Sequence, residues 1–328
     1  MLEEVLEPTL PICDAHHHLW NRPTSNPARY LLDEFLEDIG QGHRIESTVF
    51  VEAAIFYSAS KPVALQPVGE VEFAAGIAAM AESGQYGPVR ACAAIVGHAD
   101  LRLGESAADV LAALTNAGGG RLAGVRHMAP WDASTEIPRV HSNSLPDLYG
   151  DAQFRKGFAH LAKFGLSFDA FQWHTQLGHL FRLAQDFPQT RIVLNHLGSP
   201  LGIGPYLGKR DEVYAEWSKG VRALAECPNV WVKLGGMGLR VSGFGFNERT
   251  EPAGSQEIAK AWHPYFETCI QAFGPDRCMF ESNFPVDRIS CSYGVLWNAF
   301  KRIAVEYSAE EKALMFKEVA ESFYGIAA

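Results

Sequence analysis

The chain has 328 residues, 47% of them hydrophobic and 20% charged, which is ample for a sizeable core. Its 28 Lys and Arg against 38 Asp and Glu give a formal net charge of -10, and no dense basic cluster is present, which argues against nucleic acid as a partner. Residues 1–8 lack the basic start and apolar core of a signal peptide, no stretch reads as a membrane span, and none of the six cysteines forms a C-x-x-C pair; the expectation is a reduced, cytoplasmic protein.

Eight strand-like runs follow one another at residues 11–16, 48–53, 89–96, 122–127, 166–170, 191–196, 230–235 and 278–283. Amphipathic helical patterns separate most of them, at 67–83, 107–117, 154–164, 176–186, 213–226 and 259–273. Buried parallel strands read as continuous apolar runs, as Ile192-Val193-Leu194 does. This alternation predicts an α/β fold, a single-domain (β/α)8 TIM barrel spanning 1–328. A doubly wound sheet would want a glycine-rich phosphate turn after the first strand, where the chain carries histidines instead. Long connections at 130–151, 197–211 and 236–256 follow strands four, six and seven, on the catalytic side of such a barrel, and long loops there are often lids.

The first run leads into Asp14-Ala15-His16-His17-His18. Alternate strand residues point the same way, so His16 and His18 project together and His17 points to the other side. Two adjacent imidazoles can bind a metal or polarise a substrate oxygen; the alternative is a hydrogen-bonded pair in a polar barrel mouth. In a barrel, the strand ends converge on one mouth. They supply His16, His18, Glu52, Arg126, His127, Asp169, His196 and Asn283, with His174 and Asp287 close behind in the loops and Tyr57 and Trp20 as pocket-shaping residues. Arg126 is read as an anchor for a substrate carboxylate or as a structural ion pair, and Asp287 as a base or a loop brace.

Four stretches resemble the amidohydrolase superfamily, in particular the branch with sugar lactonases and 2-pyrone-4,6-dicarboxylate lactonase. Asp14–Trp20 resembles its first-strand D-x-H-x-H-x-W, and Gly124-Val125-Arg126 its fourth-strand G-[IV]-R. Val193–Pro200 resembles V-L-[DN]-H-x-G-x-P, and Met279–Pro285 resembles M-[FW]-G-S-D-[WF]-P. The resemblance implies pocket roles for His16, His18 and His196, and substrate binding by Arg126. It also exposes a departure: the eighth-strand aspartate, the usual general base, is Asn283, which cannot take a proton near neutral pH. Asp287, Glu52 and His196 are then the candidate bases. A binuclear centre is not expected. One divalent ion, zinc, held by His16 and His18 with Glu52 or His196, and a metal-free site both remain open. The implied reaction is hydrolysis of a small, carboxylated lactone. The alternatives are a metal-dependent decarboxylase of an unsaturated or aromatic acid and a non-catalytic ligand-binding barrel. The expected partner is a small molecule, with a homo-oligomer left open.

Overall fold

The computed structural model describes residues 3–139 and 145–327; residues 140–144 of the expected loop after strand four, and residues 1, 2 and 328, lie outside them. Eight parallel strands pair in sequence order: β1 Pro11–His17, β2 Arg44–Val51, β3 Arg90–His98, β4 Leu122–Arg126, β5 Ser167–Ala170, β6 Ile192–Leu194, β7 Val230–Leu234 and β8 Cys278–Phe280. The ring closes through the segment after β8. His18 N donates to Phe284 O at 2.7 Å and Asn283 N to His16 O at 2.8 Å.

The outer layer is formed by α1 Leu32–Ile39, α2 Val68–Glu82, α3 Ala107–Ala117, α4 Ala152–Phe158, α5 His160–Phe164, α6 Leu177–Asp186, α7 Arg210–Ala225, α8 Ser255–Phe273 and α9 Tyr293–Ile303. The strands alternate as a half-in, half-out pattern requires. Val49, Val51, Val96 and Val193 fill the barrel interior, while Phe50, Ile95, Ile192 and Leu194 pack outward among the helix residues Trp217, Trp262 and Phe300. The helix expected at 154–164 is divided into α4 and α5. By length and composition alone Val63–Glu82 could cross a membrane. Here its α2 portion packs on β3, with Val71, Ala74, Ala78 and Ala81 buried.

The sequence pattern gave no warning of the C-terminal helix. It runs from Ala309 through a π-helical segment, Leu314–Glu318, to Tyr324 and closes the end of the barrel where the strands begin. Val319, Ala320, Phe323 and Tyr324 join the interior cluster, and Arg191 Nη1 donates to Phe323 O at 2.6 Å.

Candidate active site

At the other end, β1 contains a bulge. Asp14 pairs with Thr48 but His17 pairs with Phe50, so β1 carries one more residue than β2 over this stretch. An extra residue reverses the side to which the following side chains point. Asp14 therefore faces outward, bonded to Ser282 Oγ at 2.6 Å and Tyr293 Oη at 3.0 Å, whereas His16 and His18 turn inward. His17 stays outside, stacked on Phe35 and 2.9 Å from Thr48 Oγ1.

His16 Nε2 and His18 Nε2 lie 3.1 Å apart. His18 Nδ1 is 2.7 Å from Val51 O. A carbonyl only accepts, so Nδ1 carries the proton and Nε2 presents a lone pair. Burial, reinforced by Lys233 beside His16 and Arg126 beside His18, holds both imidazoles well below their usual pKa and therefore neutral. Neutral imidazoles are the form that binds a metal. The 3.1 Å separation of the two nitrogens would let both reach one tetrahedrally coordinated zinc ion.

His196 stands at the end of β6 with its ring 4.8 Å from that of His16. Glu281, just beyond β8, lies between them. Its Oε1 accepts from His196 Nδ1 at 2.7 Å and from His196 N at 3.0 Å. Its Oε2 is 2.8 Å from His16 Nδ1, out of line for a hydrogen bond. Donor atoms of His16, His196 and Glu281 all fall within 4.8 Å of one another. A carboxylate hydrogen-bonded to an imidazole fixes its tautomer and orientation, as Glu281 does for His196. Two glycines after β7 make room for it: a Cβ on Gly235 would collide with Glu281, and one on Gly236 with the His196 ring. Below this cluster a buried ion pair joins Lys233 Nζ to Asp169 Oδ2 at 2.8 Å. Tyr324 Oη from the C-terminal helix donates to both Asp169 oxygens, at 3.0 and 2.9 Å, and Lys233 Nζ is 3.4 Å from His16 Nδ1.

A cavity of about 360 Å³ opens over the strand ends, at the small end of the ligand-site range. His18, Arg126, His196 and Asn283 line it from the barrel, Trp20 and Arg22 from the segment after β1, and Arg240 from the loop after β7. Asn283 and His196 both have positive φ, 53° and 55°. These residue types tolerate the left-handed region better than most.

Residues 13–326 match the sequence profile of the amidohydrolase family. The chain belongs to that family. The protein y4mH of Sinorhizobium fredii, itself uncharacterized, is 30% identical over 336 residues, covering 97% of this chain and 99% of that one. A Burkholderia multivorans protein named L-fucono-1,5-lactonase is 26% identical over 243 residues, 71% of this chain and 72% of that one. A solved amidohydrolase from Burkholderia multivorans with bound zinc superposes with a TM-score of 0.74 at 23% identity, over 96% of this chain and 99% of that one; that likeness concerns the fold.

Among amidohydrolase-type residues expected from the sequence, His16, His18 and His196 come together, and Arg126 and Asn283 join His18 and His196 around the cavity. The others are engaged elsewhere. Glu52 is buried and accepts from Arg126 Nε at 2.7 Å, and its carbonyl accepts from Arg126 Nη2. This is the structural ion pair, so Arg126 cannot offer its full fork to a substrate carboxylate. Asp287 accepts from Asn283 Nδ2 at 2.8 Å and Gly238 N at 3.0 Å; it braces the loops after β8 and β7 and does not line the cavity. Asp169 is committed to Lys233 and Tyr324. His127 follows Arg126 and so faces outward, where its Nδ1 accepts from Leu101 N at 3.2 Å. His174 lies under the loop after β6, with Nδ1 accepting from Leu201 N at 3.3 Å, and burial lowers its pKa to about 4. Tyr57 is half-buried away from the cavity lining. Lys233, Arg22, Arg240 and Glu281 were not among the site residues expected from the sequence. The signal for Glu281 was present: it stands where the eighth-strand pattern has glycine, two positions before the aspartate that is missing.

Proposed function

We propose that this amidohydrolase opens a small lactone by attack of water, with His196 as general base. The observation that carries the reading is the His196–Glu281 pair at 2.7 Å on the rim of a cavity otherwise supplied with neutral imidazoles. Of the three candidate bases, Glu52 is tied to Arg126 and Asp287 to Asn283. His196 alone both lines the cavity and is oriented by a carboxylate, in the geometry a general base needs.

His196 donates Nδ1–H to Glu281, which leaves Nε2 to take a proton from water. Glu281 then stabilises the imidazolium, and the same Nε2–H returns the proton to the ring oxygen as the ester C–O bond breaks. Asn283 donates its Nδ2 to Asp287 and so turns its Oδ1 to the cavity, where it accepts from the attacking water. The remaining Arg126 nitrogen, Nη1, is 3.5 Å from His16 Nε2 and adds positive charge where the carbonyl oxygen becomes negative. His16 and His18 would hold a single zinc ion, which when bound polarises the ester carbonyl. The lactonase name borne by the Burkholderia relative supports this reaction class.

The test is a proton-release assay in weak buffer over sugar lactones, muconolactones and pyrone dicarboxylates. Turnover should fall by about 10²–10⁴-fold in His196→Gln. Silence of the wild-type enzyme across the panel would reject the lactonase reading, and wild-type turnover in the variant would reject His196 as the base.

A further inference from the structure

The cavity lining is chemically lopsided. Among the described residues it contains three arginines and two histidines but no carboxylate, lysine or side-chain hydroxyl, in a protein of net charge -10. Arg126 comes from the barrel and is half committed to Glu52. Arg22 and Arg240 come from the loops, and neither side chain makes an ion pair or hydrogen bond among the described residues. Arg22 is nonetheless held in place. Its guanidinium lies 5.5 Å from the centroid of the Trp20 ring, and Trp20 stacks on His18 at 6.2 Å. The Trp20 indole N–H is itself anchored on Pro27 O at 2.8 Å. A stacked column thus runs from the rim to the His16–His18 pair. The remaining wall is apolar, with Met128, Phe171, Trp173, Leu239, Val241 and Ile289.

We infer that Arg22 and Arg240 form an anion subsite at the rim, so that the substrate is a lactone with an apolar body and a carboxylate at the end away from the ester. The inference rests on the lactone-opening reading and names its substrate class. It moves carboxylate recognition from Arg126, whose Nε and Nη2 are occupied, to guanidinium groups that have donors to spare. It also argues against a polyhydroxylated sugar lactone. Ring hydroxyls placed against Trp, Phe, Leu and Val would lose water without gaining partners, since the polar groups from the barrel itself are engaged around the ester. An anionic substrate would be drawn to this mouth although the protein as a whole is acidic, because local charge governs approach at close range.

The test compares three γ-lactones in kcat/KM: one with a carboxybutyl side chain, one with a pentyl chain, and a sugar lactone. The acid-ended substrate should exceed the pentyl one by about tenfold or more and exceed the sugar lactone further. In the double variant R22M/R240M, which keeps much of each side chain's stem, the acid-to-pentyl ratio should fall towards one, and R22K/R240K should lie between. Because the readout is a ratio within one preparation, partial misfolding does not mimic it. Equal turnover of acid and pentyl lactones, preference for the sugar lactone, or a ratio untouched in R22M/R240M would overturn the subsite. If no lactone is opened, the lactonase reading fails separately, and binding decides the subsite. A cyclopentanone bearing the carboxybutyl chain, titrated by tryptophan fluorescence, should bind wild type more tightly than R22M/R240M and more tightly than its pentyl counterpart. Absence of that difference would overturn the subsite whatever the reaction.

Discussion

Replacing Glu281 by Gln tests the centre of the site with almost no change in shape. The carboxylate oxygen that accepts from His196 Nδ1 at 2.7 Å and His196 N at 3.0 Å can be kept as the amide oxygen. The other oxygen, 2.8 Å from His16 Nδ1, then becomes an NH2 group. That contact is out of line for a hydrogen bond, so the change beside His16 is one of charge. The imidazolium of His196 loses its counter-charge, and a zinc ion held by His16 and His18 would lose a neighbouring negative charge. Losing a carboxylate behind a metal-binding histidine costs about 10- to 100-fold in metal affinity or activity, equivalent to about 1.4–2.7 kcal/mol. The assays are lactone turnover, zinc content after dialysis against a weak chelator, and urea unfolding as a fold control. Wild-type zinc retention together with wild-type kcat in Glu281→Gln would refute the placement of Glu281 as the counter-charge of this centre.

Restoring the family aspartate alone should fail. Asn283→Asp sets a second carboxylate at the 2.8 Å contact with Asp287, where two like charges cannot both ionise; activity should fall and stability above neutral pH should drop by about 1–3 kcal/mol, whereas a gain in turnover would show that the position had merely lost its base. Burial raises the Asp287 carboxyl to about 8, above its ordinary value of 3.8, so the folded protein holds a proton that the unfolded chain releases. That contribution to stability is present at low pH and is lost as pH rises from about 4 to about 8; Asp287→Asn should flatten this part of a pH–stability curve, and an unchanged slope would contradict it. Gly236→Ala should displace the His196 ring and lower kcat by more than tenfold while leaving the barrel folded by circular dichroism, because the new Cβ meets that ring; unaltered turnover would count against His196 as base. Tyr324→Phe removes a donor to both oxygens of buried Asp169 and should cost about 1–3 kcal/mol in thermal or urea unfolding; a neutral result would mean that the C-terminal helix plugs the barrel by apolar packing alone.

The strand–helix alternation and the motifs at strand ends were legible in the sequence because both are local. Alternation sets Val193 on the face opposite Ile192 and Leu194 without reference to any distant residue, and a barrel then brings the ends of all strands to one mouth. The same parity rule correctly separated His17 from His16 and His18. It could not say which side faced inward: by unbroken alternation His16 and His18 share the side of Asp14, and only the bulge against β2 turns them into the barrel. That bulge is a property of two strands, not one. Pairings across the barrel were likewise invisible, since Glu52–Arg126, Asp169–Lys233 and His196–Glu281 join residues 64 to 85 positions apart. Each took a residue that composition offered for catalysis and assigned it to bracing, or took one that composition overlooked and set it beside an imidazole. A side chain's chemistry is written in the sequence, but its availability depends on which partner reaches it first, and that is settled when the strands close into a ring.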